Sequence, residues 1–143
     1  MPLPKPFPGL VVHYSYLWRD QWLRGREEGV KDRPCVIVAT EPSANGEVLV
    51  TLAPITHSPP RSPEPPIELP LAVKRLLQMD DQRSWIVVTD LNSFYWAGED
   101  LRSVPGKPPG HVSYGVLPPG LFRQVRNGIL RAAALQPVAP TPR

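Results

Sequence analysis

Twenty-one of the 143 residues are proline, and their placement limits the fold more than any other feature of the chain. A proline ring removes a backbone donor and fixes φ, so it breaks helix interiors and is unwelcome in central strands. The prolines cluster: four within residues 2–8, six within residues 59–70, five within residues 105–119 and three in the last seven residues. Runs poor in proline lie between. This pattern predicts several short elements joined by stiff, extended connections, not a uniformly disordered chain.

A hydrophobic content of 41% supports a packed core, and the length suits one domain. The expected organisation is a proline-rich arm over residues 1–8, a single domain over residues 9–135 and a flexible tail over residues 136–143. Cys35 is the only cysteine, which excludes an internal disulfide framework and a cysteine zinc site. The formal charge of +3 is compatible with an anionic partner such as RNA but selects nothing by itself. No apolar run reaches the length of a signal peptide or a membrane span, so a cytoplasmic protein with no membrane partner is expected.

Residues 10–18 (LVVHYSYLW) follow Pro8-Gly9 and read as a strand, with Leu10, Val12, Tyr14, Tyr16 and Trp18 on one side. Residues 19–31 are charged, contain Gly25 and Gly29, and read as a mobile loop. Pro34 opens a second strand over residues 35–39, and Asn45-Gly46 marks a hairpin into a third over residues 47–53. Ile67, Glu68 and Leu69 suit a short edge strand. Residues 71–79 predict one or two helical turns with Val73, Leu76 and Leu77 inward. Residues 84–90 (SWIVVTD) predict a buried strand, and residues 98–115 an irregular loop. A helix is expected over residues 120–134, where Phe122, Val125, Ile129 and Ala132 form a stripe behind Pro118-Pro119. The fold class is therefore mainly β with a C-terminal helix, in the form of a small curved barrel.

Four features occur in a telling order. They are Gly9 followed by Leu10-Val11-Val12, the charged loop of residues 19–31, Arg33-Pro34 opening the strand KDRPCVIV, and Pro54-Ile55-Thr56 ending the next strand. A serine-led strand from Ser84 follows. This ordered set resembles the PemK/MazF family of toxin endoribonucleases over most of the chain. The resemblance implies an SH3-like barrel, a homodimer, cleavage of single-stranded RNA, and an antitoxin protein that occupies the RNA groove. It matches the family's phosphate-binding arginine to Arg33 and its active-site threonine to Thr56. Asp90-Leu91-Asn92 stands where the family carries glutamine, isoleucine and arginine, so one basic group is missing.

Metal-free RNA cleavage needs a base for the 2′-hydroxyl proton, a cation for charge growing on the phosphoryl oxygens and an acid for the leaving oxygen. Arg33 can hold two phosphate oxygens in its planar fork, or can simply pair with Asp32 or Glu28. Thr56 can donate to phosphate or serve as a turn hydroxyl. His57 is the third catalytic candidate; His13 and Asp90 are rivals as acid or base. Arg24, Arg26 and Lys31 offer phosphate contacts from the loop, and Trp18 and Trp22 can stack on unpaired bases. Trp18, Trp22, Tyr95 and Trp96 serve equally well as core or interface residues. No cofactor is expected, and three histidines without paired spacing make no convincing metal set. A catalytically inactive barrel that binds RNA or an antitoxin-like peptide is the alternative.

Overall fold

The computed structural model describes residues 3–29, 31–137 and 139–143. Met1 and Pro2 of the arm, Val30 of the charged loop and Val138 of the tail lie outside the described residues. The architecture is a curled, almost wholly antiparallel sheet with a helix at its C-terminal side.

Strand β1 (Leu10–Tyr16) pairs with β2 (Lys31–Pro42), and β2 pairs with β3 (Val48–Thr56). The β2–β3 connection contains the predicted Asn45-Gly46 turn, with Ser43 N–H donating to Glu47 O at 2.8 Å and Gly46 at φ +86°. Strand β3 is the pivot of the curl. Its N-terminal half pairs with β6 (Asn92–Tyr95), while its last two residues pair with β5 (Trp85–Ile86), which in turn pairs with β4 (Ile67–Glu68). Strand β7 (Ser113–Val116) closes along β1, and β8 (Thr141–Pro142) lies parallel to β6. A register shift between Ile37 and Ala39 adds local twist to the central pair, as an extra residue in one strand does.

The sheet is buried on both faces, which is why all seven residues of β1 are buried. Leu10, Val12, Tyr14 and Tyr16 pack with Cys35, Ile37, Val50, Leu52 and Phe94. Trp18 packs against the same group, as the period-two reading of residues 10–18 predicts. Val11, Val36, Ala53 and Ile55 face the opposite core, which helix α3 (Pro119–Leu135) covers with Leu121 and Val125. Gly128 lets α3 lie close: a methyl there would sit 3.2 Å from Val88 Cγ1 and 3.4 Å from Ile67 Cδ1. Cys35 has no exposed surface.

Several expectations are corrected. The loop after β1 carries a short helix, α1 (Arg19–Leu23), and Lys31 already belongs to β2. Gly29 returns the chain so closely over β1 that a methyl would fall 2.4 Å from Tyr16 O. Helix α2 (Leu71–Leu76) turns Val73 and the following Leu77 inward as expected, but buries Lys74 and leaves Leu76 exposed. Only Trp85 and Ile86 of residues 84–90 pair as strand; Val87 and Val88 are buried all the same. Residues 98–115 contain β7's start, and Leu101 bridges to Tyr14. Residues 136–143, expected as a flexible tail, end in β8, with Thr141 buried and the Arg143 side chain 3.3 Å from Asp100.

Candidate functional site

At one end of the sheet the β2–β3 pair, the turn after α2 and the start of α1 surround a groove of about 1130 Å³. Two residues beyond the Cys35–Pro54 pair, in opposite chain directions, are Arg33 and Thr56, so antiparallel register carries both to this rim. Arg33, Thr56 and His57, the three catalytic candidates, all line the groove, together with His13, Trp18, Lys31 and Asp90. Arg24, Arg26 and Trp22 are not among its lining residues. Arg24 and Arg26 are exposed past α1, where Arg26 Nε donates to Glu28 O at 2.5 Å, and Trp22 lies beneath the Arg19 guanidinium. Their separation from the groove follows from α1, which a reading of that segment as an open loop missed.

Arg33 is partly buried and is in no ion pair among the described residues. Asp32 instead faces Arg102 at 3.8 Å, and Glu28 offers its backbone oxygen to Arg26. The Arg33 guanidinium carbon lies 5.2 Å from the centre of the Trp18 ring, and its Nε–H is buried without an acceptor. Burial lowers its pKa from the ordinary guanidinium value, yet an arginine so placed remains a cation at neutral pH. Unsatisfied donors on a cation at the edge of a groove suit an anionic oxygen.

Thr56 is nearly buried. Its Oγ1 accepts from Ser58 N–H at 3.2 Å, which is the turn role open to any threonine after a strand. The hydroxyl proton is not used by that bond. His57 Nε2 lies 2.9 Å from Asp80 Oδ2. Partial burial raises the Asp80 pKa, but the Lys74 hydrogen bond and charge, the His57 ring and the Gln82 amide outweigh it, leaving a net lowering. Asp80 is therefore a carboxylate at neutral pH, an acceptor that favours the Nε2–H tautomer of a neutral His57 ring. This carboxylate–imidazole pair was not legible in the sequence. Asp80 lies 23 residues from His57 in a charged turn with no motif.

His13 is nearly buried, with Nδ1 2.8 Å from the Tyr114 hydroxyl. Burial lowers its pKa; the effects of Asp32 and Arg102 oppose each other. The Tyr114 hydroxyl is pushed up to about 12, mainly by burial. Asp90 accepts from the Tyr16 hydroxyl at 2.5 Å and from Arg19 N–H at 3.2 Å; burial nevertheless raises its pKa overall. Asn92 has no exposed surface. Its side chain accepts from Leu17 N–H at 3.0 Å and donates to Leu17 O at 2.7 Å, so it clamps the chain leaving β1 and presents nothing to the groove. Tyr95 is exposed, while Trp96 packs against the Phe94 side of the core.

The lining is mixed in charge, with Lys31, Arg33, Arg19 and Arg61 among Asp20, Asp32, Asp80 and Asp90. Among the described residues no three His, Cys, Asp or Glu side chains gather as a metal-binding group. No helix among them is long and apolar enough to cross a membrane. A scan against protein families finds no match, and a search of curated proteins finds no relative.

Proposed function

We propose that this chain is a metal-independent endoribonuclease of the PemK/MazF type, built on an SH3-like barrel and cutting single-stranded RNA. The observation that carries the reading is Arg33: a cation with no carboxylate partner among the described residues, on the wall of the groove that also holds the His57–Asp80 pair. In this mechanism His57 Nδ1 takes the proton of a 2′-hydroxyl, and the freed oxygen attacks the adjacent phosphorus. Arg33 holds the phosphoryl oxygens as charge grows on them, and the Thr56 hydroxyl donates to one of them. The bond to the 5′ oxygen breaks as that oxygen takes a proton from water, leaving a 2′,3′-cyclic phosphate and a 5′-hydroxyl, and the charged His57 ring returns its proton to solvent. Trp18 beside Arg33 suits the stacking of an unpaired base. As toxin, the protein is a homodimer in the cytoplasm, and an antitoxin protein fills the groove and blocks RNA.

Incubation of the purified protein with a labelled single-stranded RNA in EDTA tests this. Products ending in cyclic phosphate and 5′-hydroxyl support it. The second reading, an inactive barrel that binds RNA or an antitoxin-like peptide, draws on the bonded Thr56 oxygen and on Asn92 standing where the family's basic residue is. Binding of the same RNA without cleavage selects it. Neither binding nor cleavage removes both.

A further inference from the structure

The Lys74 side chain is only 2% exposed, yet it carries an ammonium group into a helix face where a methionine or leucine would pack. Burying a charge costs several kcal/mol unless it is paired and fully hydrogen-bonded, so the partners matter. The three N–H bonds of the ammonium find three acceptors. Asp80 Oδ1 is at 2.6 Å, Ser84 Oγ at 2.7 Å, and Gln82 O completes the set. Residues 74–84 thus close around one cation.

Asp80 Oδ1 takes the ammonium and the Gln82 amide at 3.1 Å, while His57 Nε2 lies against the same carboxylate, 2.9 Å from Oδ2 and 3.2 Å from Oδ1. The Asp80 side chain is 53% exposed, and a lone aspartate so open to water would sample several rotamers. Two bonds to Oδ1 fix the carboxylate plane and hold the group against the ring, with Oδ2 the nearer oxygen. His57 is also held from behind, because it follows Thr56, the last residue of β3, whose register is set by Trp85 of β5.

We infer that Lys74 is a positioning residue for this groove: its buried ammonium fixes Asp80, and Asp80 fixes the tautomer and orientation of the His57 imidazole. The catalytic use of that imidazole rests on the ribonuclease reading above, but the relay itself is a property of the free protein. Such a lysine touches no substrate. It acts through Asp80, on which nitrogen of the neutral His57 ring carries the proton.

The test uses the full chain, with Lys74→Met, Lys74→Arg and Asp80→Asn compared by ¹⁵N NMR of the His57 ring and by cleavage of a single-stranded RNA. Wild type should show the Nε2–H tautomer. Lys74→Met should lose that preference and lower kcat by roughly tenfold with KM unchanged, while Lys74→Arg should retain most of both. An unchanged tautomer in folded Lys74→Met overturns the inference. Should Lys74→Met not fold, Asp80→Asn at its half-exposed position decides instead. There the His57 preference should be lost, and its survival overturns the relay. Wild type that shows the tautomer and its loss in the variants, but never cleaves RNA, refutes the ribonuclease reading and leaves the relay standing.

Discussion

The Arg33 guanidinium lies over the indole of Trp18, 5.2 Å from the ring centre, and among the described residues no carboxylate pairs with it. The stack fixes the long side chain without neutralising it, so the cation reaches the groove already oriented. Arg33→Ala should reduce RNA cleavage by about 10²–10³. Arg33→Lys should recover little, because an ammonium lacks the planar fork and stacks less well. Thr56→Ala should fall between wild type and Arg33→Ala. Single-turnover rates on one RNA, with and without EDTA, check the series; full activity in folded Arg33→Ala excludes the mechanism.

Asp80 supplies a pH signature. Its pKa is lowered in the folded protein, so the stability it contributes is present above the unfolded carboxyl value of about 4. That contribution is lost as pH falls through the lower folded value. Urea midpoints of wild type should exceed those of Asp80→Asn near about pH 5 and converge below about 4. A margin undiminished at about pH 3 contradicts the Lys74–Asp80 pairing.

Asn92 should prove structural. Asn92→Ala removes both partners of the buried Leu17 backbone and should destabilise the fold by about 2–4 kcal/mol. Asn92→Arg, although it would supply the basic group of the PemK/MazF pattern, should destabilise as well, since the site has no exposed surface. Denaturant melts measure both; an active and equally stable Asn92→Arg would show that the clamp is dispensable.

Gly29 has a steric reason to be glycine. A methyl there meets Tyr16 O and the Ser15 carbonyl carbon, backbone atoms that cannot retreat without moving β1. Gly29→Ala should cost about 1–3 kcal/mol and displace the adjoining start of β2, which bears Lys31 and Arg33. Thermal unfolding gives the first, and RNA affinity by anisotropy the second. Gly25→Ala, where nothing lies within contact distance but φ is +91°, should cost about 1 kcal/mol by backbone strain alone.

Cys35 is fully buried in the central strand β2, and burial raises its thiol pKa far above the ordinary range. A thiol reagent should label the native protein no faster than it unfolds. Rapid labelling without denaturant would contradict the packing of β2 between β1 and β3.

What the sequence determined by itself is what local pattern encodes. Alternation in residues 10–18 assigned Trp18 to the Tyr14–Tyr16 side, Asn45-Gly46 marked the β2–β3 connection, and Pro118-Pro119 ahead of a period-3.6 stripe marked the last helix. Arg33 and Thr56 were candidates because the resemblance to PemK/MazF toxins matches them, and His57 because it is a histidine next to Thr56; antiparallel register then brings Arg33 and Thr56 to one rim. The tertiary structure decided the rest. Strand β6 was missed because residues 92–95 alternate weakly and are recruited by the exposed edge of β3, a non-local pairing. Lys74 reads as a surface lysine in any helical pattern. Only the closure of residues 74–84 around it, against Asp80 and Ser84, makes burial of its charge tolerable and joins it to His57. Such a partnership depends on distances in space, which residue order and hydrophobic period do not encode.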